Sequence, residues 1–203
     1  MKGSLIIIAF FVLGIVVGLQ SSTFNFQFST FNLQSSTFIL YALMFCVGIS
    51  IGSDTKTLKS FRGVNPRLMM LPVMTIVGTL AGTTAASAFL PHRHLFDCLA
   101  IGSGFGYYSL SSIFITEYKG AELGTIALLS NIMREIITLL CAPLLVRYFG
   151  ILAPISMGGA TTMDTTLPII TRTSGQDYVI VSIFHGFCVD FSVPFLVTFF
   201  CSL

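Results

Sequence analysis

Seven apolar stretches follow one another along this chain, and their succession limits its fold more than any other feature. They are Leu5 to Leu19, Phe38 to Gly52, Leu68 to Leu90, Leu99 to Thr116, Gly124 to Val146, Ile151 to Thr171 and Tyr178 to Leu203. Spanning a bilayer takes about 20 apolar residues, with a range of roughly 17 to 25. Only 9% of the residues are charged, against about 25% in a soluble domain. A water-facing surface of ordinary size is therefore excluded. Backbone polar groups in lipid must bond internally, which leaves helices or a closed barrel, and runs of this length point to helices. The chain reads as an all-α polytopic membrane protein, one domain over 1–203, with about 6–8 transmembrane helices.

The first stretch follows Lys2 as a signal peptide would, but SSTFNFQFST offers no small-residue cleavage site, so it reads as a transmembrane helix. The loop from Asp54 to Arg67 carries Lys56, Lys59, Arg62 and Arg67, the densest basic cluster. Basic loops stay in the cytoplasm, which puts the C-terminus outside. The five cysteines sit in or beside apolar runs without metal-ligand spacing and read as small buried hydrophobes. No cofactor or metal is expected. A net charge of +2 gives no reason to expect a nucleic-acid partner.

Two stretches are interrupted. Ser103 to Ser112 reads SGFGYYSLSS, and Gly158 to Pro168 reads GGATTMDTTLP. Polar, irregular backbone at membrane depth is tolerated only where it lines a cavity or is buried in protein. Transporters place binding sites at such discontinuous segments. Both segments are expected to be Gly-broken, either discontinuous or re-entrant. Gly158 and Gly159 permit unwinding, and Pro168 suits the first turn of a resumed helix. Freed N–H groups there are expected to hold a carboxylate ligand. Asp164 lies among Thr161, Thr162 and Thr165, and the first break offers Tyr107, Tyr108, Ser109 and Ser111. An ordinary loop, or close helix packing by Gly and Ser, is the competing reading.

The fifth stretch contains Asn131, Arg134 and Glu135, in a stripe extended by Gly124, Ala127 and Thr138. A charge at mid-membrane costs at least ~2.5 kcal/mol on insertion scales and marks function by default. Arg134 and Glu135 point about 100° apart on a helix and are expected to find separate partners, the alternative being a structural ion pair. Asp190, five residues after His185, is a further candidate for proton coupling beside Glu135 and Asp164. At an offset of 55, Gly104 matches Gly159, Gly120 matches Gly175, and Glu135 matches Asp190. This suggests repeat halves at 99–146 and 151–203, running parallel by the crossing count. Chance agreement between common residue types is the alternative.

SGFGYYSLSS, NIMRE, GGATTMDTTLP and the later His185-Gly186 together resemble the bacterial lysine exporter family (LysO-like), over nearly the whole chain from Phe38 onward. The resemblance implies an inner-membrane, multi-pass secondary transporter. It would export L-lysine and analogues such as thialysine by proton antiport, with Glu135 and Asp164 as its intramembrane acids. Full-length family members carry further spans before this region. The chain therefore resembles the C-terminal part of a split exporter, expected as a homodimer or with a small membrane subunit supplying the missing spans. Gly48, Gly52, Gly78, Gly82 and Ala86 offer faces for such contact. Rival readings are a sodium or other cation/proton antiporter and a purely structural subunit. An intramembrane protease is disfavoured, because neither Gly-x-Gly-Asp nor Gly-x-Ser-x-Gly occurs.

Overall fold

The computed structural model describes residues 66–90 and 93–203. The stretches Leu5 to Leu19 and Phe38 to Gly52, the Phe-rich segment between them and most of the basic loop lie outside the described residues. All regular structure among the described residues is helical. A short α1 (Pro66–Met69) leads into α2 (Leu71–Ser87), where Pro72 occupies the first turn, a position that lacks an N–H partner anyway. Then come α3 (Leu95–Gly102), α4 (Tyr108–Lys119) and the long α5 (Ala121–Phe149). After α6 (Ala153–Gly158), a 3-10 turn (Gly159–Met163) and α7 (Leu167–Ser174), the chain ends in α8 (Val179–Cys201).

Three helical segments, Pro66–Ser87, Ala121–Phe149 and Gln176–Cys201, are long and apolar enough to cross a membrane. With a rise of ~1.5 Å per residue, α5 is about 43 Å long, more than the ~30 Å hydrocarbon layer. These helices carry their large apolar side chains outward, among them Met74, Val77, Leu129, Leu140, Phe191 and Phe195. Their buried faces hold Gly124, Ala127, Asn131 and Thr138 on α5, and Ser182, His185, Gly186 and Asp190 on α8. Hydroxyls on helices bond back to carbonyls one turn earlier, as Thr83 does to Thr79 and Thr138 to Arg134. A hydroxyl bonded in this way needs no water; among the described residues, Ser182 Oγ on α8 is buried without a partner.

The two interrupted stretches double back. Lys119 Nζ, at the end of α4, lies 3.5 Å from Asp97 Oδ1 in the first turn of α3. Arg93, just before α3, pairs with Glu122 at the start of α5. The second stretch closes likewise, with Ser174 Oγ donating to Ile151 O at 2.8 Å. Each stretch is thus a helical hairpin whose two ends share one end of the molecule. Gly120 and Gly175 allow the exits: both adopt left-handed φ, 93° and 102°, with ψ of 165° and 162°. Such a conformation suits glycine alone.

Between the hairpins, α5 runs from the base of the first to the base of the second. At the second base, Ile155, Ile170 and Val181 form a core with Leu71, Leu152 and Tyr178 around it. From there α8 returns toward α3 and α4. Hairpin plus α5 and hairpin plus α8 therefore run antiparallel. This corrects the parallel arrangement expected from counting crossings. That count treated each interrupted stretch as one passage, whereas a stretch that doubles back leaves the next helix starting at the end where the stretch began.

Candidate substrate site

Both hairpin tips stop halfway along α5 and meet there. Their joint is backbone to backbone: Ala160 N–H donates to Phe105 O at 2.9 Å. Phe105 and Gly106 take φ of 44° and 94°, and Gly159 takes 63°. Two residues of α5, one turn apart, anchor the pair. Asn131 Oδ1 accepts from Gly106 N–H at 2.8 Å, and Asn131 Nδ2 donates to Ala127 O and Ile101 O. Gly104 leaves room for this amide, because a Cβ there would lie 2.5 Å from Asn131 Nδ2.

Arg134 anchors the second tip. Its Nε donates to Met157 O at 2.8 Å and one terminal nitrogen to Ser156 O at 3.1 Å, with Thr79 Oγ1 at 3.5 Å. The guanidinium also lies 5.8 Å from the centre of the Phe105 ring, within cation–π range. These carbonyls belong to the last turn of α6, which has no helical donors left for them. Arg134→Ala is expected to lower the melting temperature in detergent markedly. Hydrogen bonds to a charged group are worth about 1.5–3 kcal/mol each, and two part-buried carbonyls lose theirs. Arg134→Lys is expected to recover only part, since an ammonium lacks the planar fork.

The second tip also rests on α8. Thr162 Oγ1 donates to Gly159 O or Ser182 O, at 2.8 and 2.9 Å, and lies 3.2 Å from His185 Nδ1. His185 Nε2 is 2.9 Å from Thr75 Oγ1 on α2. Gly186 lets the tip approach, because a Cβ there would lie 2.7 Å from Met163 N.

Beside the joined tips is a cavity of about 190 Å³. Glu135 from α5, Asp164 from the second tip and Asp190 from α8 all line it, with Tyr107, Tyr108, Ser109, Thr161 and Thr165. Eight of the residues singled out in the sequence thus share one cavity. The others stand behind it. Asn131 is an anchor, Thr162 is fully buried against α8, and Ser111 bonds back to Tyr107 O. Gly158 and Gly159 do not line the cavity. Adding a Cβ at Gly158 would meet Thr162 and Thr166, and at Gly159 would meet Phe105 O. Their part is close packing, and no free N–H cradle was found to open from them. Thr75, Thr79 and His185 were missed as supports. The spacing of Thr75, Thr79 and Thr83, one hydroxyl per turn on one face of α2, was the available signal.

Apolar helices surround a polar, acid-lined cavity between two interrupted segments, the kind of place where membrane transporters set their binding sites. The chain belongs to the lysine exporter LysO family, whose family model matches residues 8–201. It is 37% identical over 189 residues to "Lysine exporter LysO" of Escherichia coli (strain K12), an alignment covering 93% of this chain and 61% of that relative. The chain therefore spans about three fifths of that relative's length. It is 35% identical over 163 residues to a Haemophilus influenzae protein provisionally named a lysine exporter, covering 80% of this chain and 82% of the relative. No solved structure matches it.

Proposed function

We propose that this chain is the substrate-carrying part of a bacterial inner-membrane exporter that moves L-lysine, and analogues such as thialysine, out of the cytoplasm in exchange for protons. The observation that carries the reading is the cavity into which Glu135, Asp164 and Asp190 converge from three separate elements. Exporting a net cation against an inside-negative potential costs about 2.3 kcal/mol per 100 mV. An entering proton offsets that cost when the carboxylate that releases the lysine takes it up. Arg67, Arg147 and Arg172 lie at the end of the molecule where α2 begins and α5 finishes, which fits a cytoplasmic end. The second hairpin is then re-entrant from the cytoplasm and the first from outside. With Glu135 and Asp190 facing one cavity, the halves 99–146 and 151–203 make an inverted repeat within a single transporter domain.

Gly78 and Gly82 support a partner helix or a second copy: a Cβ at either meets nothing among the described residues within 4 Å. Such a partner could be the small subunit that completes a split exporter.

Lysine counterflow in proteoliposomes tests the function. Internal unlabelled lysine is expected to drive uptake of labelled lysine, accelerated by a proton gradient and indifferent to sodium. Counterflow of labelled sodium without lysine would replace this reading with a cation antiporter. Access to the cavity gives a separate check. Thr165 is exposed and lines the cavity, whereas Thr162 is fully buried. In a background without native cysteines, Thr165→Cys is expected to react with a small hydrophilic thiol reagent and to be protected by lysine. Thr162→Cys is expected to stay unreactive. Equal labelling of both would place the aqueous cavity elsewhere.

A further inference from the structure

The charge balance of the cavity does not match a zwitterion alone. Three carboxylates line it, and no Lys, Arg or His side chain among the described residues does. Arg134, the cation closest in sequence, is turned toward Ser156 O and Met157 O. Asp190 is the sharpest case. It is more than nine-tenths buried, at 8% exposure, and forms no hydrogen bond or ion pair with any described residue. A buried carboxylate with no partner is strongly disfavoured, so the cavity is built for positive charge to enter it. No three described His, Cys, Asp or Glu side chains are grouped to hold a metal ion. Three carboxylates drawn from three separate elements suit an organic cation that carries more than one positive group. Lysine brings two ammonium groups, but among the described lining residues its α-carboxylate would meet hydroxyls, those of Tyr107, Tyr108, Ser109, Thr161 and Thr165, and no cation.

We propose that the cavity also binds unbranched α,ω-diamines of lysine's length, with 1,5-diaminopentane as the probe. Each ammonium pairs with one carboxylate, and the third carboxylate stays available to the proton. The proposal rests on the cavity being the export site.

Isothermal titration of the purified full chain with lysine, 1,5-diaminopentane and norleucine is the test. The diamine is expected to bind within tenfold of lysine or tighter and to compete with it, while norleucine, which lacks the second ammonium, is not expected to bind. Asp190→Asn is expected to weaken the diamine at least tenfold and lysine by less. Lysine binding that a hundredfold excess of diamine leaves untouched would overturn the diamine proposal and leave the lysine reading standing. Equal loss of both ligands in Asp190→Asn would overturn the assignment of Asp190 to the diamine. Binding of neither ligand would overturn the export site together with the proposal.

Discussion

Gly159→Val is expected to abolish export and to leave little monodisperse protein in detergent. Gly159 combines φ of 63° with ψ of −126°, a region closed to β-branched residues. Strain of that kind costs about 1–3 kcal/mol. Space is the larger obstacle. A Cβ would sit 2.1 Å from Phe105 O and 3.1 Å from its carbonyl carbon. Both are backbone atoms held by the joint between the tips, so no side chain can swing aside. Overpacking adds roughly 1–3 kcal/mol in ordinary cores, and here relief requires the tips to part. Gly78→Ala, where a Cβ meets nothing among the described residues within 4 Å, is expected to remain monodisperse in detergent. Size-exclusion profiles and lysine counterflow check both variants. Normal export by Gly159→Val would mean that the tips do not meet as described.

Glu135→Gln is expected to produce the opposite pattern, a normally folded protein whose lysine flux falls at least a hundredfold. The side chain keeps its shape and loses its charge. Glu135 makes no hydrogen bond or ion pair with any described residue and lines the cavity half-buried. Removing the charge therefore breaks nothing structural, and melting is expected to be unchanged or slightly raised. The export cycle loses a carboxylate able to exchange a proton for an ammonium. Proteoliposome flux beside a melting curve separates the effects. Native flux in Glu135→Gln would reduce this residue to a bystander.

The long helices were legible in the sequence because lipid leaves so few alternatives: Gly124 to Val146 fell inside α5, and Tyr178 to Leu203 overlaps α8 almost throughout. The candidate site was partly legible for the same reason. Carboxylates such as Glu135 and Asp164 have no cause to lie in apolar runs unless something polar awaits them. What sequence could not give was direction. SGFGYYSLSS marks a break, but whether the chain continues or turns back depends on Lys119 meeting Asp97, 22 residues away. The same holds for Ser174 and Ile151. Helical spacing did separate Arg134 from Glu135, yet it could not say that Arg134 would serve the carbonyls of α6. His185 and Asp190, five residues apart, do not share a helix face. The structure uses them separately, His185 against Thr162 and Asp190 in the cavity.

The bond from Ala160 N–H to Phe105 O has a consequence for genetics. It joins the two halves through atoms that every residue except proline supplies. An alanine scan of both tips would register the buried Phe105 ring, which lies against Arg134, and leave the bond itself untouched, because Phe105→Ala keeps the carbonyl and position 160 is already alanine. Only Ala160→Pro, which deletes the donor, or an ester in place of that amide would reach it. Selection is blind to it in the same way. The codon at 160 can drift among small residues without breaking the bond, while the neighbours that fix the backbone, Gly106 and Gly159, absorb the constraint. A catalogue of loss-of-function alleles would then cluster at those glycines and point one residue away from the contact they protect.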